Sequence, residues 1–160
     1  NVAPYLRSTY GVRTLEESAR RLCGLVDQVP HRRVLFLAHH GPAGLGAEPT
    51  SPWGCDFKAG GGDWGDPDLR EAIDHARSRG KVVLAVVAGH MHYPTRTHGR
   101  MRRWCIHRDG TWFVNAARVP RIGPAARHHI GLRIEGDQAI VEEVWVGPEG
   151  EVRTPAAAEG

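Results

Sequence analysis

Apolar positions along the chain change their spacing several times, and each spacing predicts an element. Residues 1–12 carry Pro4 and Gly11 as breakers and read as irregular. From 14 to 29, Leu15, Ala19, Leu22, Leu25, Val26 and Val29 recur at helical spacing. Thr14 stands before them as N-cap, with Glu17 three residues on. Arg33 to Ala38 contains the short apolar run VLFLA and reads as a buried strand, parallel in its sheet. Residues 41–65 hold eight glycines and three prolines, which predicts a long loop of the kind that is either functional or disordered. Asp66 followed by Pro67 starts a helix that runs to about Arg79 and ends at Gly80. Lys81 to Ala88 is a second buried strand, so strand, helix and strand form a parallel crossover. Beyond it, 102–107 and 111–116 flank Asp109-Gly110, and 128–135 and 138–146 flank Gly136-Asp137, both as hairpins. The stretch 148–160, rich in Pro, Ala and Glu, reads as a flexible tail on a domain of residues 1–147.

Both apolar strands end in histidine: His39 after the first, His90 and His92 after the second. Ligands of open α/β sheets bind outside the carboxyl ends of the strands. In extended backbone, i and i+2 share a side, so His90 and His92 can face one site with Met91 turned away. Gly89 supplies the tight turn at the strand end. Three neutral imidazoles suit zinc, iron or manganese. For any one histidine the ordinary reading is a surface or core residue. A His-x-His directly after a buried strand, joined by a second His-bearing strand end, favours a metal site.

Composition adjusts this picture little. The chain has 160 residues with a net charge of +3, too small an excess to indicate nucleic acid as a partner. Ten histidines are the compositional anomaly. Three widely spaced cysteines make neither a CxxC pair nor a disulfide framework, which points to a reducing, cytoplasmic setting. No apolar run is long enough for a membrane span, and no signal peptide is visible.

Leu37-Ala38-His39-His40-Gly41-Pro42 and Gly89-His90-Met91-His92 resemble the last two metal motifs of calcineurin-like metallophosphoesterases. The strand ending in Phe113-Val114-Asn115, with Pro120-Arg121 beyond, resembles the segment that follows them there. Gly61 to Leu69, GGDWGDPDL, further resembles a subgroup of bacteria and photosynthetic organisms. The resemblance implies part of a four-layer α/β/β/α sandwich with a mixed sheet and C-terminal antiparallel hairpins. It implies hydrolysis of a phosphomonoester or phosphodiester at two divalent ions, manganese, iron or zinc. His39 and His90 would bind the second ion and His92 the first. His40, Asp63, Arg100, Asn115 and Arg121 are the candidate substrate contacts. Such enzymes also use Asp-x-His, Gly-Asp and Asn-His motifs, which residues 1–38 do not supply. The catalytic groups are therefore expected upstream of Asn1. A non-catalytic metal-binding or interaction module of the same fold is the alternative. Trp53 and Trp64 are expected either to wall the pocket or to anchor their Gly-rich loop, Asp66 to cap its helix, and His128 or His129 to face the site.

Overall fold

The computed structural model describes residues 3–96, 99–118 and 122–157. Its elements are α1 (Ala3–Tyr10), α2 (Leu15–Gln28), β1 (Arg33–Leu37), α3 (Pro67–Ser78), β2 (Val82–Ala88), β3 (Cys105–Arg108), β4 (Thr111–Asn115), β5 (Arg127–Glu135), β6 (Gln138–Gly147) and β7 (Gly150–Pro155). The chain is mixed α/β. One sheet has the order β1-β2-β4-β3, with β1, β2 and β4 parallel and β3 antiparallel. The other, β5-β6-β7, is antiparallel throughout.

The mixed sheet is packed on both faces. Val83, Val86 and Phe113 join Val26 of α2 and Leu69, Ile73 and Ala76 of α3 in one core. Leu84, Ala85, Trp112 and Val114 join Ala139 and Val141 of β6 in the other. The two sets do not alternate strictly along β2. Val34 pairs with Val83 but Leu35 with Ala85, so β2 carries an extra residue at this point. A one-residue slip exchanges the faces of everything beyond it. The irregularity therefore decides which way the histidine end of β2 looks.

The predicted helices form, with their ends fixed by named groups. Thr14 Oγ1 accepts the Glu17 N–H at 3.2 Å, while the Glu17 carboxylate reaches Arg13 N–H at 2.7 Å, one residue short of a full capping box. The stretch before it is not irregular, as expected, but a helix. Pro4 lies in the first turn, where its missing N–H costs nothing. Gly11, at φ +69, ends the helix with its N–H on Arg7 O. Both supposed breakers are thus helix-end residues.

Two further expectations are corrected. β1 is not buried on both faces: it is the edge strand, and Leu35 and Leu37 are 41% and 81% exposed. Residues 150–155 do not fray, since β7 pairs with β6 along its whole length and Arg153 reaches Glu142 at 3.0 Å. A strand this polar has no apolar alternation to announce it; the open edge of β6 supplies the ladder. Both hairpins form where expected, and Asp109 and Gly110 at φ 51 and 72 make the left-handed pair such a turn needs.

Candidate metal centre

Three parallel strands end at one rim. Ala38 N–H bonds Val87 O, Gly89 N–H bonds His39 O, and Ala116 N–H bonds Ala88 O, so the ladders run past the formal strand ends. They carry His39, His90 and Asn115 to adjacent positions. His39, His90 and His92 line one cleft of about 810 Å³, together with Asp56, Phe57, Met91 and Arg96.

Within it His39 Nε2 lies 2.9 Å from His90 Nδ1. Two imidazoles brought nitrogen to nitrogen either share one hydrogen bond or turn both lone pairs to a common cation. His90 has φ +68, a left-handed conformation that is uncommon for a residue with a Cβ and that concentrates at functional sites. The turn was expected at Gly89, whose φ is not in that region; it falls on the histidine itself. Partial burial, then the facing His40 and His39, lower the His90 pKa below its ordinary value, with Asp66 opposing. The neutral ring, the form that ligates, is the favoured one.

His40 completes the cluster from behind. Its ring meets the His90 ring edge-on at 4.8 Å, and its Nδ1–H points to Asp66 Oδ1 at 3.2 Å. Its Nε2 is buried and has no hydrogen-bond partner among the described residues. Asp66 thus makes no side-chain cap on α3, contrary to expectation; its carboxylate holds His40. A carboxylate behind a histidine fixes the tautomer and leaves the other nitrogen as a lone pair, the arrangement found behind metal ligands. The His39–His90 pair offers two nitrogens at the cleft that a divalent cation could take. Among the described residues, no group of three His, Cys, Asp or Glu side chains is placed to hold a metal ion. The fit is that of one edge of a metal site.

The other candidates divide sharply. Asn115 is fully buried: its amide donates to Pro52 O and Met91 O at 2.8 and 2.7 Å, and its oxygen accepts Ala117 N–H at 3.0 Å. Its bonds are all internal, so it bolts the rim rather than meeting substrate. Asp63 accepts Gly44 N–H at 2.6 Å and Gly65 N–H at 2.9 Å, bracing the long loop. Arg100 is exposed, closes a turn with Thr95 through its backbone, and does not line the cleft. Arg121 lies outside the described residues. His92 lines the cleft, is exposed, and its carbonyl accepts Arg102 Nε–H at 3.1 Å.

Trp53 does not wall the cleft. It is buried beneath it, with its indole N–H on Gly89 O at 3.1 Å, and a Cβ at Gly41 would fall 2.0 Å from its ring. Only glycine lets the loop lie flat on that indole. Trp64 also falls outside the lining; it packs on Phe57. Neither His128 nor His129 lines this cleft; both line a neighbouring cavity that shares Leu37, Val87 and Ala116 with it, where His128 is buried against Trp145 and bonded to Glu143 at 2.9 Å.

A buried arginine anchors this rim from beneath. The Arg102 side chain is fully buried and donates to His92 O, Ser51 O and Gly54 O. Its remaining nitrogen stands 3.1 Å from Asp56 Oδ2, an ion pair without hydrogen-bond alignment. One guanidinium thus ties the long loop to the His-x-His segment. Within a run of neighbouring arginines, nothing local marked Arg102 as the one turned inward.

Compared with known proteins, the chain matches no protein-family model, no curated protein and no solved structure. No helix among the described residues is long and apolar enough to cross a membrane.

Proposed function

We propose that this chain carries the histidine rim of a divalent-metal phosphoesterase site of the calcineurin-like kind. One observation carries the reading: His39 and His90, from the ends of adjacent parallel strands, meet nitrogen to nitrogen at 2.9 Å in an open cleft. The motif order around them and the layering of helices, mixed sheet and antiparallel sheet support it, and with it a four-layer sandwich. His39 and His90 would hold the ion, with His92 beside them. Bound there, a divalent cation supplies Lewis-acid polarisation of a phosphoryl oxygen. The protein's own share is positional. Asp66 orients His40 behind His90, Arg102 fixes the His92 backbone, and Asn115 locks the rim between Pro52 and Met91.

Titration with Zn²⁺ or Mn²⁺ by calorimetry tests the site. His39→Ala and His90→Ala are each expected to weaken binding about ten-fold or more. Equal affinity in wild type and both variants would exclude the assignment. Release of phosphate from an aryl phosphate with added manganese then tests the reaction.

The second reading, a non-catalytic metal-binding module of this fold, is favoured by the two carboxylates at the site being already engaged. Asp56 pairs with Arg102 and Asp66 with His40. Stoichiometric metal binding without turnover under manganese, iron or zinc decides for the module.

A further inference from the structure

The cleft holds groups that metal binding does not use. Phe57 lines it and stays 40% exposed. Trp64, 38% exposed, meets the Phe57 ring edge to face at 5.1 Å and 88°, and Lys58 Nζ sits 4.2 Å over the Trp64 ring. The aromatic wall is therefore buttressed from behind rather than left loose on its loop. The loop itself is pinned by Asp63 and by the Cys55 N–H on Gly62 O. On the same cleft, Arg96 is exposed while its backbone N–H is held by Asp56 Oδ2 at 2.7 Å. Asp56 is in turn paired with buried Arg102. A guanidinium on a fixed root and a braced aromatic face thus share one cavity with the histidine pair. The cavity, about 810 Å³, is in the size range of small-molecule sites.

We propose that the cleft selects anionic phosphate esters whose alcohol side carries a planar aromatic group. The phosphate takes the histidine and Arg96 side, and the ring stacks on Phe57. The proposal rests on the phosphoesterase reading for the fate of the phosphate, but recognition of the ring requires no hydrolysis. Guanidinium and histidine recognise the anion whatever its ester. Only the aromatic face separates a flat alcohol from a flexible one.

Equilibrium dialysis of the full chain, with and without Zn²⁺, against phenyl phosphate, adenosine 5′-monophosphate and glycerol 3-phosphate tests this. Phenyl phosphate and the nucleotide are expected to bind more tightly than glycerol 3-phosphate. Phe57→Ala should weaken the two aromatic esters about five-fold or more and leave glycerol 3-phosphate unchanged. Phe57→Leu keeps apolar volume but removes the ring, and should behave alike while preserving the circular dichroism spectrum. Arg96→Gln should weaken all three. Tighter binding of the nucleotide than of phenyl phosphate identifies a nucleoside ester, and equal binding a simple aryl ester. The proposal is overturned if no probe binds, if all three bind alike, or if the Phe57 variants keep the wild-type preference. If no metal binds or no phosphate is released while the ring preference persists, only the hydrolase reading fails.

Discussion

Asn115 shows how much of the site depends on groups that never meet a ligand. Its side chain closes three hydrogen bonds at full burial, to Pro52, Met91 and Ala117. Asn115→Ala leaves two carbonyls and one N–H without partners and is expected to cost about 2–4 kcal/mol. A lowered urea midpoint at unchanged slope checks it. His128 makes the complementary case for a titrating group. Burial holds its pKa below the ordinary 6.5, with Glu143 pulling upward. A depressed folded value means the fold favours the neutral ring. That contribution is complete above about 6.5 and is lost as the pH falls through the lower folded value. The thermal midpoint of the wild type should fall more steeply from about pH 7 to about pH 5 than that of His128→Gln. Parallel profiles would contradict the assignment.

At the scale of elements, the two helix starts look alike in sequence and differ in physics. Thr14 caps α2 with its hydroxyl, whereas Asp66 gives its carboxylate to His40. Thr14→Ala is expected to cost about 1 kcal/mol and to quicken amide exchange in the first turn of α2. Asp66→Ala should leave exchange in the first turn of α3 unchanged and alter the His40 ring nitrogen shifts. If exchange at α3 quickens as at α2, Asp66 is acting as a cap after all. The predicted helices, the strand-helix-strand order and both hairpins were legible because each rests on a local pattern. The helix at Ala3–Tyr10 and the strand at Gly150–Pro155 were not. The first hid behind residues that also break helices, and the second has almost no apolar side chain to reveal it.

For the whole molecule, the consequential feature is the free edge at β1. Leu35 and Leu37 are exposed on its face toward β5, beside an outer edge that pairs with no strand among the described residues. Such an edge is expected to drive concentration-dependent association. Leu35→Lys should reduce it, as read by light scattering, with stability changed by no more than about 0.5 kcal/mol. Unaltered association would place the contact elsewhere.

Sequence alone determined that the strand-end histidines His39, His90 and His92 gather at one rim. Histidine after an apolar strand is a local signal, and parallel strands must bring their carboxyl ends together. It also determined the turn chemistry, because Asp109-Gly110 needs no distant partner. Only the tertiary structure decided which polar groups at that rim are open to a ligand and which are spent inside. Asp63, Asp66, Asn115 and Arg102 carry the same chemical types as ligand-binding residues, and each is consumed by a backbone or side chain far away in the chain. The extra residue in β2 belongs with them: within an unbroken apolar run, the phase of the strand is invisible until a neighbour sets the register. Phe57 and Arg96 join the cleft for the same reason, carried there by two separate segments that Asp56 and Arg102 tie together.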